Sequence, residues 1–293
     1  MGGVGPNASA ESDLAPESVL RRLGTRGLGR DYEFLASCAS TSDLVRSRAA
    51  AGAAEGLLVV ADSQTAGRGR LGRSWHSPPG QNLYLSLLLR PALPARLATP
   101  LTLLAGAALA QTLAQADATP RLRWPNDLLV PVAGGLRKVA GILTEMACDG
   151  ERVRYIVLGV GLNVNSLEFP PDLAERATSL RLALDRACDR AKLLVDFLTA
   201  FESIYDDFLA HGPASGLNAW RRHADLGRVC RIDRDGARVE GIATDIDDDG
   251  ALLVRDDAGQ VHRVISGETS EQAGGDRPSG PAQVGPRGRE RSR

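Results

Sequence analysis

The chain has 293 residues, 43% hydrophobic but only 4% aromatic, so one large domain, or a large and a small one, must be filled with aliphatic side chains and Ala. With 35 basic against 36 acidic side chains the net charge is -1, which excludes a molecule-wide attractive field for nucleic acid; any anion must be held locally. Cys38, Cys148, Cys188 and Cys230 lack metal-ligand spacing and read as reduced thiols, no leader-like segment opens the chain, and the most apolar stretch, 101–116, is interrupted and too short to span a bilayer. These features predict a cytoplasmic protein with no membrane partner.

Residues 1–15 are small, polar and rich in Gly and Pro, and predict a disordered lead-in. A short helix follows over about 17–23. Ser40-Thr41-Ser42-Asp43 then precedes an Ala-rich run to about 54, which predicts a helix capped by Ser40 or Thr41. The same hydroxyls suit a ligand contact equally well. Leu57-Leu58-Val59-Val60 and the run 82–89 read as buried strands.

Between those strands lies Thr65-Ala66-Gly67-Arg68-Gly69-Arg70-Leu71-Gly72-Arg73-Ser74-Trp75. Glycine lets backbone approach a ligand closely, successive N–H groups can form an anion-binding concavity, and guanidinium forks match phosphate or carboxylate oxygens. Arg-Gly repeats also occur in flexible RNA-binding tails, but two flanking core strands place this one in a folded site.

A helix is predicted over 97–116, short strands near 121–124, 138–146 and 154–164, a loop over 166–177 and a long helix over 187–211. The last carries Leu193, Leu194, Phe197, Leu198, Phe201, Ile204, Tyr205 and Phe208 at helical period. From about 227 short alternating strands (229–232, 237–246, 251–254, 260–265) with tight turns predict a small antiparallel barrel. Beyond 271, Gly, Pro, Ser and Arg predict a disordered tail.

Three further clusters can carry chemistry. In Trp124-Pro125-Asn126-Asp127 the proline breaks the strand, leaving Asn126 and Asp127 either as a plain turn or as an amide and a carboxylate for a ligand or for Mg²⁺ beside phosphates. Lys138 is one of two lysines in a chain that otherwise uses Arg for its cations; it opens an apolar strand and either snorkels to solvent or supplies a compact ammonium. Gly159 and Gly161, in Leu158-Gly159-Val160-Gly161-Leu162-Asn163-Val164-Asn165, mark close backbone approach within a strand; the spacing is not a dinucleotide fingerprint.

The collinear order GRGRxGRxW, WPND, KVAGIL-T-E, GVGLNVN, spanning about 40–165, resembles the biotin–protein ligases (biotin–[acetyl-CoA-carboxylase] ligases). The segment ending Ser266-Gly267-Glu268 is similar to that family's SH3-like C-terminal domain. The resemblance implies an α+β fold: a mixed β-sheet flanked by helices over 16–223, then an SH3-like β-barrel over 224–270. It implies a ligase that uses ATP with Mg²⁺ to make biotinyl-5′-AMP, then passes biotin to a lysine of a biotin carboxyl carrier domain.

By the same resemblance, Ser40, Thr41, Gln64, Gly67, Arg68 and Trp75 line the biotin pocket, with Gly141 and Gly161 on its floor. Arg70 and Arg73 meet phosphate, Arg70 also closing the loop over the adenylate. Asn126 and Asn163 contact the nucleotide. Lys138 bridges carboxylate and α-phosphate, and Asp127 serves the metal or the incoming lysine. The Arg-Gly loop and the loop after Asn165 are expected to order on ligand binding.

Two positions depart from the family pattern: Ser42 stands where Asn is common, and Arg123 where Lys is common. The residues before Ser40 are too few for a winged helix to bury a core, so no sequence-specific DNA binding is expected. A monomer or weak homodimer is expected. A lipoate–protein ligase is the enzyme alternative, with Gln64 to Arg70 favouring biotin; an Arg-Gly RNA-binding protein is the non-enzyme alternative.

Overall fold

The computed structural model describes residues 12–234 and 237–270; residues 1–11 of the lead-in expected over 1–15, and the tail expected over 271–293, lie outside the described residues. The lead-in does not extend to residue 15. Leu14 is fully buried and Asp13 pairs with Arg190, so packing begins ahead of the first helix.

The first unit comprises α1 (Pro16–Leu20), β1 (Tyr32–Leu35), α2 (Thr41–Ala50), β2 (Leu58–Ala61), β3 (Leu83–Leu89), α3 (Leu101–Gln115), β4 (Arg121–Arg123), β5 (Asp127–Val132), β6 (Gly135–Asp149), β7 (Arg152–Leu162), α4 (Leu180–Leu184), α5 (Arg190–His211) and α6 (Ala214–Arg221). Its sheet has seven strands in the order β1-β2-β3-β7-β6-β5-β4. β1 and β2 run parallel and the other pairs antiparallel, the mixed sheet expected.

Every residue of β2 and β3 is buried because helices cover both faces. The side-chain alternation sorts them. Val59 and Leu88 join Val45 and Ala49 of α2 on one face, while Leu58, Val60, Leu85 and Leu87 meet α3 and α5 on the other. The periodic face of α5 includes Phe197, Phe201 and Tyr205, whose rings stack at 5.9 and 5.8 Å. The apolar stretch around α3 is longer than the sequence reading gave it: Ala95–Gln115 is long and apolar enough to cross a membrane, but most of it is buried inside the molecule, as a core helix is.

β8 (Val229–Arg234), β9 (Ala237–Ile246), β10 (Leu252–Arg255), β11 (Val261–Val264) and β12 (Glu268–Ser270) form a second, antiparallel sheet in the order β11-β10-β9-β8-β12. Its inner face, with Ile232, Ala243, Ile246, Leu252 and Val254, joins the same core as the first unit. Hydrogen bonds close the junction. Leu122 N–H donates to the His223 carbonyl at 2.7 Å, Asp225 N–H returns to Leu122 at 2.8 Å, and Trp124 Nε1 donates to the Gly250 carbonyl at 2.9 Å. The guanidinium of Arg123 sets Nε and Nη2 on Asp225 Oδ2 at 3.2 and 2.8 Å, a two-pronged contact that the common Lys cannot make. The edge strand β4 is thereby covered.

On the far side Glu202 fixes the turn before β1, accepting N–H bonds from Arg26, Gly27 and Leu28 at 2.7, 2.9 and 2.9 Å. Burial pushes its carboxyl up, but the three backbone donors and Arg26 outweigh this and hold it below the ordinary value of 4.5. A depressed folded pKa stabilises fully above the unfolded pKa and is lost as pH falls through the folded one. The melting temperature of wild type should therefore exceed that of Glu202→Gln most at neutral pH, with the gap closing as pH drops below 4.5. A gap independent of pH in thermal melts would remove this role.

Candidate active site

The site is built on bare sheet. In the β6–β7 ladder Gly141 pairs with Gly161 and Leu143 with Gly159, so side chains are missing from a strip of one face. Trp75 lies on that strip: a Cβ on Gly161 would sit 2.5 Å from its indole, and one on Gly141 3.0 Å. The Lys138 ammonium is 5.3 Å from the indole centroid, a cation–π distance. Above this floor opens a cavity of about 140 Å³.

Residues 67–75 form a tongue over the cavity. Trp75 N–H bonds to the Gly67 carbonyl at 2.8 Å and Gly69 N–H to Arg73 at 2.7 Å, and Arg70–Gly72 make one 3₁₀ turn with Leu71 left-handed at φ 55°. The N–H groups of Gly69, Arg73 and Trp75 are thus used within the tongue itself. Toward the cavity the loop presents the cationic side chains of Arg68, Arg70 and Arg73.

Four cations line the cavity, Arg68, Arg70, Arg73 and Lys138. Lys138 Nζ is 2.6 Å from Asp127 Oδ1. Arg68 Nη2 meets Glu145 at 2.6 Å and Asp43 at 3.1 Å, and Arg46 closes the ring on the same two carboxylates at 2.6 and 2.8 Å. Arg70 Nη1 donates to Asn126 Oδ1 and to the Gly267 carbonyl, both at 3.3 Å, so the tongue touches the second sheet's β11–β12 connection. Burial lowers the Arg70 pKa, Asp127 raises it and Arg73 lowers it. Asn126 is itself fixed, its Nδ2 donating to the Ile142 carbonyl at 2.8 Å. Arg68 Nε and Trp75 Nε1 are buried among the described residues without a hydrogen-bond partner, two donors suited to a bound acceptor.

The other end of the cavity is neutral. Ser40 caps α2, as expected, its Oγ accepting from Asp43 N–H at 3.5 Å. Gln64 Oε1 accepts from Thr41 N–H at 2.9 Å, and Gln64 Nε2 donates to Ser77 Oγ at 3.1 Å. Ser42 and Thr41 both reach Ser86, a fully buried hydroxyl on β3, at 2.9 and 2.8 Å. Ser42 comes this close because Gly159 has no Cβ; one there would stand 2.9 Å from its Oγ.

Of the residues expected from sequence, Ser40, Thr41, Gln64, Arg68, Arg70, Arg73, Trp75, Asn126, Asp127, Lys138, Gly141 and Gly161 line one cavity. Gly67 and Asn163 do not. Gly67, at the base of the tongue, packs against Ser77, where a Cβ would be 2.8 Å from Oγ. The Asn163 amide, expected at a nucleotide, instead donates to the Thr178 carbonyl at 3.1 Å. Residues 176–178 in turn run beside Lys138, with Lys138 N–H on Arg176 at 2.8 Å and Thr178 N–H on Lys138 at 2.9 Å. Sequence reading missed Ser86 and Glu145, although a hydroxyl inside the apolar run Leu83–Leu89 was a visible signal.

Fold and site define the class: residues 35–163 match the biotin/lipoate A/B protein ligase family, and residues 225–270 match the biotin protein ligase C-terminal domain. The bifunctional ligase/repressor of Bacillus spizizenii is 39% identical over 259 residues, covering 87% of this chain and 78% of that protein. The biotin–[acetyl-CoA-carboxylase] ligase of Mycobacterium tuberculosis is 35% identical, covering 87% of this chain and 94% of its own length. Among solved structures, the biotin protein ligase of Aquifex aeolicus in complex with biotin and ATP superposes with a TM-score of 0.70 at 27% identity, over 82% of this chain and 98% of the other. The chain belongs to the biotin protein ligase family and is an enzyme of that kind.

Gly161→Ala should drive the indole off the floor, at an overpacking cost of about 1–3 kcal/mol. The expected result is a shift in tryptophan emission with a modest loss of thermal stability. An unchanged spectrum would mean that the floor tolerates a Cβ.

Proposed function

We propose that the chain activates biotin with MgATP as biotinyl-5′-AMP and then joins biotin to one lysine of a biotin carboxyl carrier domain. The observation that carries this is one cavity with two ends: a neutral end of hydroxyls and an amide, and a cationic end of Arg70, Arg73 and Lys138. The relative from Aquifex aeolicus, held with biotin and ATP, supports the reading.

In the first step a carboxylate oxygen of biotin bonds to the α-phosphorus; the bond from that phosphorus to the bridging oxygen breaks, and diphosphate leaves with the electron pair. Two anions must meet, so the main task is neutralising and aligning charge. Lys138 exchanges its contact with Asp127 for the carboxylate and the α-phosphate, while Arg73 and Arg70 take phosphate oxygens. Asn126 holds the nucleotide. In the second step the carrier lysine's amine bonds to the activated carbonyl carbon, the bond to AMP breaks, and the surplus proton leaves the nitrogen. Asp127, released by Lys138, is placed to receive it. Arg70 moves from Gly267 and Asn126 onto the adenylate and keeps water out between the steps.

Among the described residues no group of three or more His, Cys, Asp or Glu can hold a metal ion, and Asp127 is the one carboxylate lining the cavity. That donor set fits Mg²⁺ arriving on ATP, which takes one or two carboxylates beside substrate phosphates. There the ion would neutralise phosphate charge. We also read the chain as cytoplasmic, in keeping with its four free thiols, as a monomer or weak homodimer, and as having no membrane partner. Ligase activity without operator binding is proposed for the described residues, whose helices pack onto the sheets or one another.

Incubation with biotin, MgATP and a carrier domain should add one biotin mass to one lysine, and lipoate should not replace biotin; preference for lipoate would reverse the substrate reading. Lys138→Ala should slow biotin-dependent diphosphate release about a hundredfold or more while leaving the fold intact. Near-normal release would contradict the role given to Lys138. Arg70→Gly should leak biotinyl-5′-AMP, read as label on bystander lysines; a variant that leaks none would refute the closing role. A footprint on a biotin-operon promoter at physiological salt would overturn the absence of operator binding.

A further inference from the structure

We propose that Ser86, acting with Ser42, is a specificity-determining positioning residue: a one-way chain of hydrogen bonds, Ser42 to Ser86 to Thr41 to Gln64, dictates which groups at the neutral end of the cavity accept and which donate. This deepens the biotin reading and rests on it.

The direction of the chain follows from two backbone groups that have no choice of role. The Trp75 carbonyl can only accept, and Ser77 Oγ donates to it at 3.0 Å. A hydroxyl has one proton, so Ser77 must accept from Gln64, as its 3.1 Å contact with Nε2 requires. That turns Gln64 Oε1 toward Thr41, whose backbone N–H can only donate and does so at 2.9 Å. Thr41 Oγ1 also donates to Oε1, at 3.2 Å, which commits its single proton. Toward Ser86, 2.8 Å away, Thr41 can then only accept, so Ser86 donates to it. Ser86 in turn accepts from Ser42 at 2.9 Å.

The consequence lies at the cavity wall. Thr41, Ser42 and Gln64 line the cavity, whereas Ser86 is fully buried behind them. The Ser42 proton is drawn inward to Ser86 and the Thr41 proton is held by Gln64, so toward a ligand both oxygens are left to act as acceptors. Gln64 Nε2 keeps its second N–H for a ligand carbonyl. A head group with N–H donors beside a carbonyl, a cyclic urea, satisfies this wall; a dithiolane ring offers neither and leaves the wall unpaired. Without Ser86 the Ser42 proton is free to turn into the cavity, where it opposes a ligand N–H. Ser42 is also where this chain departs from the common Asn, so the chain's own sequence supplies the final link.

The test is calorimetric titration of biotin, lipoate and MgATP into the full chain, as wild type, Ser42→Ala, Ser86→Ala and the double variant. Biotin affinity should fall about tenfold in Ser86→Ala and a few-fold in Ser42→Ala, a tenfold change being the scale of one modest interaction. MgATP affinity and the melting temperature should hold. The double variant should bind biotin no more weakly than Ser86→Ala, because removing the Ser42 hydroxyl removes the misdirected proton. Single effects that multiply would overturn the chain, as would parallel losses of biotin affinity, MgATP affinity and thermal stability, the mark of packing alone. Wild type that binds lipoate in preference to biotin would sink the substrate reading and this proposal with it. Biotin bound by wild type with multiplying effects would sink only the hydrogen-bond chain.

Discussion

Four cations crowded around one cavity repel one another, and the structure depends on how that repulsion is offset. Each partnership is local and different. Asp127 holds the Lys138 ammonium at 2.6 Å. Glu145 and Asp43, shared with Arg46, hold Arg68. Arg70 has neutral acceptors, Asn126 and the Gly267 carbonyl, and retains its charge for an incoming anion. Arg68 is thus held by carboxylates, whereas the hydrogen bonds of Arg70 run to neutral acceptors, with Asp127 near enough to act on its charge.

This arrangement couples parts of the chain far apart in sequence. Arg70 bridges 56 positions to Asn126 and 197 to Gly267, so the tongue, the Trp124–Asp127 turn and the second sheet share one guanidinium. The turn is braced from behind by Trp124 on Gly250 and by Arg123 on Asp225. In the proposed mechanism a movement of Arg70 changes contacts in both units at once, giving the small sheet a direct physical connection to the catalytic cavity.

Much of this was legible from residue order. The helical period of α5, the apolar runs of β2 and β3, and the Arg-Gly tongue between them identify elements whose local signals are strong. β1 and β5 escaped because Tyr32–Leu35 is half-buried throughout with no alternation, and Pro131 interrupts the ladder signal of Asp127–Val132. α4 and α6 are short and take their helicity from packing.

What the sequence determined alone was residue chemistry: glycines that permit close approach, guanidiniums that stay charged, a lysine retained where Arg is the rule. Tertiary structure decided which of these groups meet. Only the pairing of Gly141 with Gly161 makes a floor for Trp75, and only the fold sets the Asn163 amide on the Thr178 carbonyl. The polarity of the Ser42–Ser86–Thr41–Gln64 chain was beyond any motif. It follows from the Trp75 carbonyl and the Thr41 N–H, backbone groups that every sequence has and only a fold can aim.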